Sequence, residues 1–190
     1  MIIGIAGKAQ AGKDTTAMML QSLISHPEMT WDMYWNSDIV FASDHFVVHY
    51  ADLLKEVSQA MLNMPFENFN SQEVKQSRVE WLDMTVREFL QRLGTAVRKE
   101  IDPEFWVKAL FNTYTKNNII IADVRFPNEA EAIKARGGKL IRIERPGAGA
   151  GNHISETALD DYTGWDIVID NVGTLEDLFN VVKFHVHNSL

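Results

Sequence analysis

The 190-residue chain has no cysteine. Disulfides and thiolate metal sites are therefore excluded, and a reducing cytoplasm is the natural setting. Long apolar runs are also missing: none approaches the ~20 residues that span a bilayer, so no membrane partner is expected. The N-terminal "MIIGIAG" is short and lacks a basic leader, and it reads as a buried strand and not as a signal peptide. Basic charge is in short supply, with 18 Lys and Arg against 26 Asp and Glu and a formal net charge of −8. A duplex-binding surface usually needs a basic face, so no nucleic-acid polymer is expected as a partner, and anions would be held by local basic clusters. The six histidines show no metal-ligand spacing. Internal repeats, low-complexity tracts and a linker dividing the chain are all missing. With 46% hydrophobic and 23% charged residues the composition is that of an ordinary globular chain and excludes a disordered one.

What is present is an alternation of strands and helices. Residues 2–6 form an apolar strand, followed by a Gly-rich turn and a helix from about Lys13 to Ser25. Residues 26–44, with "HPEMTWDMYWNSD", read as an irregular excursion. "FVVHY" (46–50) reads as a strand, and "ADLLKEVSQAML" (51–62) as a helix with Leu53, Leu54, Val57, Ala60 and Met61 inward. Residues 63–84 give no clear reading. Thr85 to Glu88 has capping-box spacing and opens a helix to about Glu100. Asp102-Pro103 reads as an N-cap and first turn of the next helix, to about Lys116. "NIIIAD" (118–123), "KLIRIE" (139–144) and "WDIVID" (165–170) are strands; Pro127 and Thr174 start helices, and Gly137-Gly138 ends the first of these. The fold class expected is α/β, a three-layer fold with a mostly parallel sheet covered by helices on both faces. The chain is expected to be a single domain over 1–190, with a helical insertion at about 52–116 and a mobile Gly-Ala loop at about 145–153.

"GKAQAGKDTT", Gly7 to Thr16, carries the chemistry. It has the G-x-x-x-x-G-K spacing of a phosphate-binding loop, with a strand before it and a helix after it, the context such a match needs. A Gly-rich turn without a ligand is the alternative. Backbone N–H groups of Gly7, Lys8, Ala9, Gln10, Ala11 and Gly12, together with the helix N-terminus, would cradle phosphates, with Lys13 reaching the outer ones. The usual Ser or Thr after the lysine is replaced by Asp14. Magnesium is commonly bound through one or two carboxylates plus substrate phosphates, so Asp14 is a candidate metal ligand, while Thr15 and Thr16 offer hydroxyls to inner phosphates. The second acid is Asp123, which "IIIAD" delivers at the end of a buried strand, where open α/β sheets bind ligands. It could instead only cap the next helix.

A second anion site is suggested by the helix from Thr85. At 100° per residue, Val86, Leu90, Leu93 and Val97 fall on a core stripe, and Arg87, Gln91, Gly94 and Arg98 on an adjacent one. Gly94 in mid-helix costs ~1 kcal/mol against alanine, which a closely approaching ligand would justify; a small residue at a helix crossing is the other explanation. Arg125 lies two residues beyond Asp123, and Arg145 follows the fourth strand. Both are cations near the ligand-facing edge, as phosphoryl transfer requires, although Arg145 could equally be an ordinary surface residue. The five tryptophans are most often core residues; Trp106 is the candidate to stack on a base.

Taken with "YADLLKE", "TVREFLQRLGTAVRKEIDPEFWV", "IIIADVRFPNEAEAI", "GGKLIRIERPG" and "HISETALDDYTGWDIVIDNVGTLEDL", the loop resembles the deoxynucleoside monophosphate kinases of bacteriophages over almost the whole chain. In that family an Asp after the loop lysine is usual. The resemblance implies a phosphate-loop (P-loop) kinase fold, related to the nucleoside monophosphate kinases, that transfers the γ-phosphoryl group of ATP to a deoxynucleoside monophosphate (dNMP). It implies ATP and magnesium as cofactors, Gly7 to Thr16 around ATP and Asp123 near the metal, to which the reading of the residues adds Arg145 beside ATP and Asp14 at the metal. The resemblance places Arg87, Gln91, Arg125 and Glu156 around the acceptor, and the reading of the residues adds Lys55, Gly94, Arg98 and Trp106 to that site; Lys13, Asp123 and Arg125 would be catalytic. The family more often has "GTEVGR" where this chain reads "GTAVRK", which aligns its arginine with Lys99, whereas the helical angles favour Arg98. The family's "ADPLK" also has a proline where Leu53 stands. A monomer or homodimer in the cytoplasm, the host's for a virus, is the setting implied. Two alternatives remain at this point. One is a kinase like animal phosphomevalonate kinase, which shares "GKD" and a late Ser-Glu. The other is a nucleotide-switched binding protein, although the N-K-x-D signature for guanine does not occur.

Overall fold

The computed structural model describes residues 1–36, 43–115, 118–149 and 154–190. The chain forms two compact units, Met1–His49 with Lys116–Leu190, and Tyr50–Thr115.

The first unit is an α/β sandwich. Its strands are β1 (Ile2–Ala6), β2 (His45–Val48), and three that follow the second unit in sequence. The second unit holds two short strands, β3 (Arg78–Val79) and β4 (Met84–Thr85), so the later strands of the first unit are β5 (Asn118–Val124), β6 (Lys139–Glu144) and β7 (Ile167–Asp170). All five strands are parallel, in the order β2-β5-β1-β6-β7. The chain leaves β1 toward one edge and, after β5, crosses to the other. The order therefore reverses at β1, and in sheets of this kind the crevice at such a reversal is where ligands bind. Helices α1 (Lys13–Ser25) and α9 (Leu175–Asn188) cover one face, and α7 (Pro127–Lys134) the other. Covering on both faces is why "IIIA" in β5 is apolar without alternation: Ile119 through Ala122 are fully buried. Ile3, Ile5, Leu20, Leu23, Ile141, Ile143, Phe179 and Val182 fill the α1–α9 side, each large side chain contributing about 1.5–3 kcal/mol. Gly4 lets α7 come close, since a Cβ there would meet Ile133 Cδ1 at 2.5 Å. The expected irregular excursion contains a helix, α2 (Trp31–Asn36), which closes over the core: Trp31 meets the Phe179 ring edge-on at 5.7 Å and stacks on Trp35 at 5.2 Å. Residues 37–42 of that stretch lie outside the described residues, as do 150–153 of the expected Gly-Ala loop.

The second unit contains α3 (Ala51–Leu62), a 3-10 turn (Phe66–Asn70), α4 (Gln72–Gln76), the β3–β4 pair, α5 (Val86–Glu100) and α6 (Phe105–Thr113). The capping box at the start of α5 is present: the Glu88 N–H donates to Thr85 Oγ1, and Glu88 Oε2 accepts from the Thr85 N–H. A small core joins Leu62, Phe69, Val79 and Val86 with the partly buried Phe89 and Leu90. Two expectations need correction. In α3, Leu53, Val57, Ala60 and Met61 are exposed, and the buried positions are Ser58 and Leu62. Ser58 can sit there because its hydroxyl donates back to the Leu54 carbonyl at 2.7 Å. The helix after Pro103 starts at Phe105, because Asp102 Oδ1 accepts the Glu104 N–H and forms a turn first.

Candidate active site

Gly7 takes φ +152° directly after β1, and a Cβ there would meet the Ile143 carbonyl of β6 at 2.5 Å. Gly12 takes φ +103° at the N-cap of α1, with the Asn171 amide where a Cβ would be. Only glycine fits either place. Gln10 bends the loop with φ +64°. The Asn171 amide, 7% exposed just beyond β7, donates to the Ala11 carbonyl at 2.9 Å and fixes the far side of the loop.

Lys13 is 8% exposed and its Nζ donates to the Gly7 and Lys8 carbonyls, both at 2.9 Å. Burial lowers its pKa first, and the Arg125 guanidinium lowers it further, against the opposing pull of Glu156, Asp14 and Asp123. All five charged groups therefore lie around one point at the C-terminal ends of β1 and β5. Asp123 is 7% exposed where the β1–β5 register shifts between Gly4–Ile121 and Ala6–Val124. Asp14, exposed in the first turn of α1, faces His49 Nε2 at 2.9 Å. The Arg125 guanidinium pairs with Glu156. The turn that carries Arg125 is held by Glu129, which is 2% exposed and accepts the N–H groups of Arg125 at 2.8 Å and Phe126 at 3.1 Å. A cavity of about 410 Å³ opens beside the loop, lined among others by Gly7, Lys8, Arg125, Arg142, Arg145 and Glu156. The Arg142 guanidinium, 5.5 Å over the Trp165 ring, supplies one wall.

Several expected roles meet different geometry. Thr16 is fully buried and donates to the Gly12 carbonyl at 2.9 Å, so its hydroxyl does not face a phosphate. In the second unit, Gly94 is buried against α3: a Cβ there would meet Leu54 Cδ2 at 3.2 Å. The glycine serves a helix crossing and not a ligand. Trp106 is 4% exposed, and its indole N–H donates to the Gly94 carbonyl at 3.1 Å. It is a core residue and presents no face to a base. Arg98 donates to that same carbonyl at 3.4 Å. Arg87 reaches Gln72 Oε1 at 2.7 Å on an exposed face, and Gln91 is half-buried on the same helix. Lys55 pairs with Asp52 at 3.2 Å and lies 5.6 Å over the Phe66 ring. His49, Glu129, Arg142 and Asn171 were not foreseen; a polar residue at or just past a strand's C-terminal end was the one signal available for His49 and Asn171.

The glycine turns, the buried loop lysine, Asp14 in the first turn of α1 and Asp123 at the end of β5 fit a nucleotide's phosphates and a magnesium ion. Among the described residues no three His, Asp or Glu side chains group as a metal cage. A parallel sheet with this loop after β1 is the architecture of the P-loop nucleotide-binding proteins, kinases among them. The family can also be stated: the deoxynucleotide monophosphate kinase family model matches residues 28–182, and the chain belongs to that family. The loop precedes the matched span, so its geometry is separate support. A protein of Acanthamoeba polyphaga mimivirus, provisionally named deoxynucleotide monophosphate kinase, is 28% identical over all of this chain and 97% of its own length. The deoxynucleotide monophosphate kinases of Enterobacteria phage T4 and Escherichia phage RB69 are 35% and 31% identical. Each covers 52% of this chain, and this chain covers 44% and 43% of their lengths. Among the described residues no helix is long and apolar enough to cross a membrane.

Proposed function

We propose that the chain transfers the γ-phosphoryl group of ATP to the phosphate of a deoxynucleoside 5′-monophosphate, giving ADP and the deoxynucleoside diphosphate. The observation that carries this reading is the phosphate loop with Lys13 buried among Asp14, Asp123 and Arg125 in a chain of this family. An acceptor phosphate oxygen attacks the γ-phosphorus as the bond to the β–γ bridging oxygen breaks, and ADP leaves with that electron pair. A phosphate monoester is largely dianionic near neutral pH, with its second pKa near 6, so the attacking oxygen needs no general base. Catalysis is then a matter of positioning and charge. The loop amides from Gly7 to Gly12 hold the ATP phosphates, and Lys13 and Arg125 face the charge on the migrating group. Asp14 and Asp123 would hold magnesium, which would supply positive charge against that of the phosphates. His49 orients Asp14 through their 2.9 Å contact. Arg145 borders ATP, while Arg87, Gln91, Arg98 and Lys55 serve the acceptor. The enzyme works in the cytoplasm as a monomer or homodimer. A coupled ADP-release assay with ATP tests the reaction class. ADP formed with one or more dNMPs, and not with phosphomevalonate or without acceptor, is the expected result. Turnover with phosphomevalonate alone, or nucleotide binding without acceptor-dependent turnover, would reject it.

A further inference from the structure

Helix α8 (Ile154–Thr157) and the turn after it are strapped to the phosphate loop. Glu156 Oε2 accepts the Ala9 N–H at 2.9 Å, and Oε1 pairs with the Arg125 guanidinium. Lys8 Nζ reaches the Glu156 carbonyl and the Asp160 carboxylate. On the other flank the Gly149 N–H donates to the Ala9 carbonyl at 3.0 Å. The Glu156 side chain is only 13% exposed. Its burial alone would raise its pKa, but the Arg125 guanidinium, the Ala9 N–H and the Lys13 ammonium outweigh burial and hold it below the usual value, so it is an anion at neutral pH.

A negatively charged oxygen pair therefore rests on a loop amide and on one of the two cations that the phosphates require. One amide hydrogen cannot serve a carboxylate and a phosphate oxygen at full strength together, and two anions sharing the point repel each other. We infer that Glu156 is an internal stand-in for phosphate: its carboxylate holds the Ala9 amide and Arg125 in place and yields both to the nucleotide. This rests on the reading of the loop as an ATP site. It makes Glu156 a positioning residue of the donor loop, where the family resemblance implied a contact to the acceptor. The carboxylate keeps the loop and Arg125 organised and opposes ATP affinity.

Calorimetric titration of ATP, with inorganic triphosphate as a second probe, into the full chain and its Glu156→Gln variant tests this. Gln keeps the shape and removes the charge. The expected result is a Kd for both probes about tenfold lower, since a charge-assisted contact no longer has to be given up, together with a lower thermal midpoint without nucleotide. A lower midpoint with unchanged or weaker ATP binding would reduce Glu156 to a structural strap and overturn the inference. Unchanged ATP binding with a raised KM for the dNMP would overturn it in favour of an acceptor contact. Should the Gln variant not fold, Glu156→Asp keeps the charge one methylene short of spanning both partners and is expected to tighten ATP binding too; an unmoved Kd there overturns the inference. Failure of the wild type to bind ATP would sink the functional reading and this inference with it. Wild-type binding with no change in the variant sinks this inference alone.

Discussion

Replacing Lys13 with methionine keeps most of the buried stem and removes the ammonium. Two effects on stability oppose each other. The variant loses the hydrogen bonds to the Gly7 and Lys8 carbonyls, and bonds from a charged donor contribute about 1.5–3 kcal/mol each. It also no longer buries a charge whose desolvation lowers the lysine's own pKa, a penalty of several kcal/mol for a buried ion. The net change is expected to lie within about 2 kcal/mol of zero, a small part of a typical folding free energy. The catalytic effect has no such offset. A preorganised cation on developing phosphoryl charge contributes about 3–4 kcal/mol, a loss of roughly a hundredfold to a thousandfold in kcat. Coupled ADP release beside a thermal melt separates the two effects. A folded Lys13→Met protein turning over within threefold of wild type would refute the assignment of Lys13 to the migrating phosphoryl group.

Gly94→Leu forces the new side chain against Leu54, whose Cδ2 lies 3.2 Å from an added Cβ. Overpacking of about 1–3 kcal/mol exceeds the ~1 kcal/mol helix gain, so the thermal midpoint should fall with the KM for dNMP unchanged in the folded fraction; a stable variant with raised KM would restore the ligand reading of Gly94. His45 is 8% exposed with neither ring nitrogen hydrogen-bonded, and burial, with the N-terminal ammonium adding to it against Asp44, lowers its pKa below 6.5. The unfolded chain then takes up a proton that the folded chain refuses. Stability should therefore fall as pH drops below about 6.5 and level off under the lowered folded pKa, and His45→Phe should flatten that part of a melting-temperature profile. An unchanged profile would contradict the assignment. Arg87→Ala should raise the KM for dNMP about tenfold with little change for ATP, and equal effects on both substrates would remove Arg87 from the acceptor site.

What was legible in the sequence was whatever is local. β1, the glycine loop and α1 could be read together because the strand, turn and helix signals are adjacent, and "IIIAD" announced a strand buried on both faces with an acid at its end. The capping box of α5 needs only four consecutive residues. What failed depended on partners remote in sequence. Asn171 donates to Ala11 across 160 positions and Glu156 reaches Ala9 across 147, and nothing in either neighbourhood names the partner. Gly94 was a choice between a ligand and a helix, and Leu54, forty positions away, decides it. The face of α3 was misread because Ser58 looks polar in sequence, yet its hydroxyl is satisfied within its own helix. Trp106 was the candidate to stack on a base, yet it is buried and its donor finds a backbone acceptor in α5, which no spacing rule reveals.

The central claim is that phosphoryl passes from ATP to a deoxynucleoside monophosphate at the loop around Lys13. The most direct measurement follows the label from [γ-³²P]ATP in the presence of each dNMP, in wild type and in Lys13→Met. The account predicts label in the β-phosphate of a deoxynucleoside diphosphate, equimolar with ADP and lost in the variant. Label released only as inorganic phosphate, or transfer that survives in the folded variant, would contradict it.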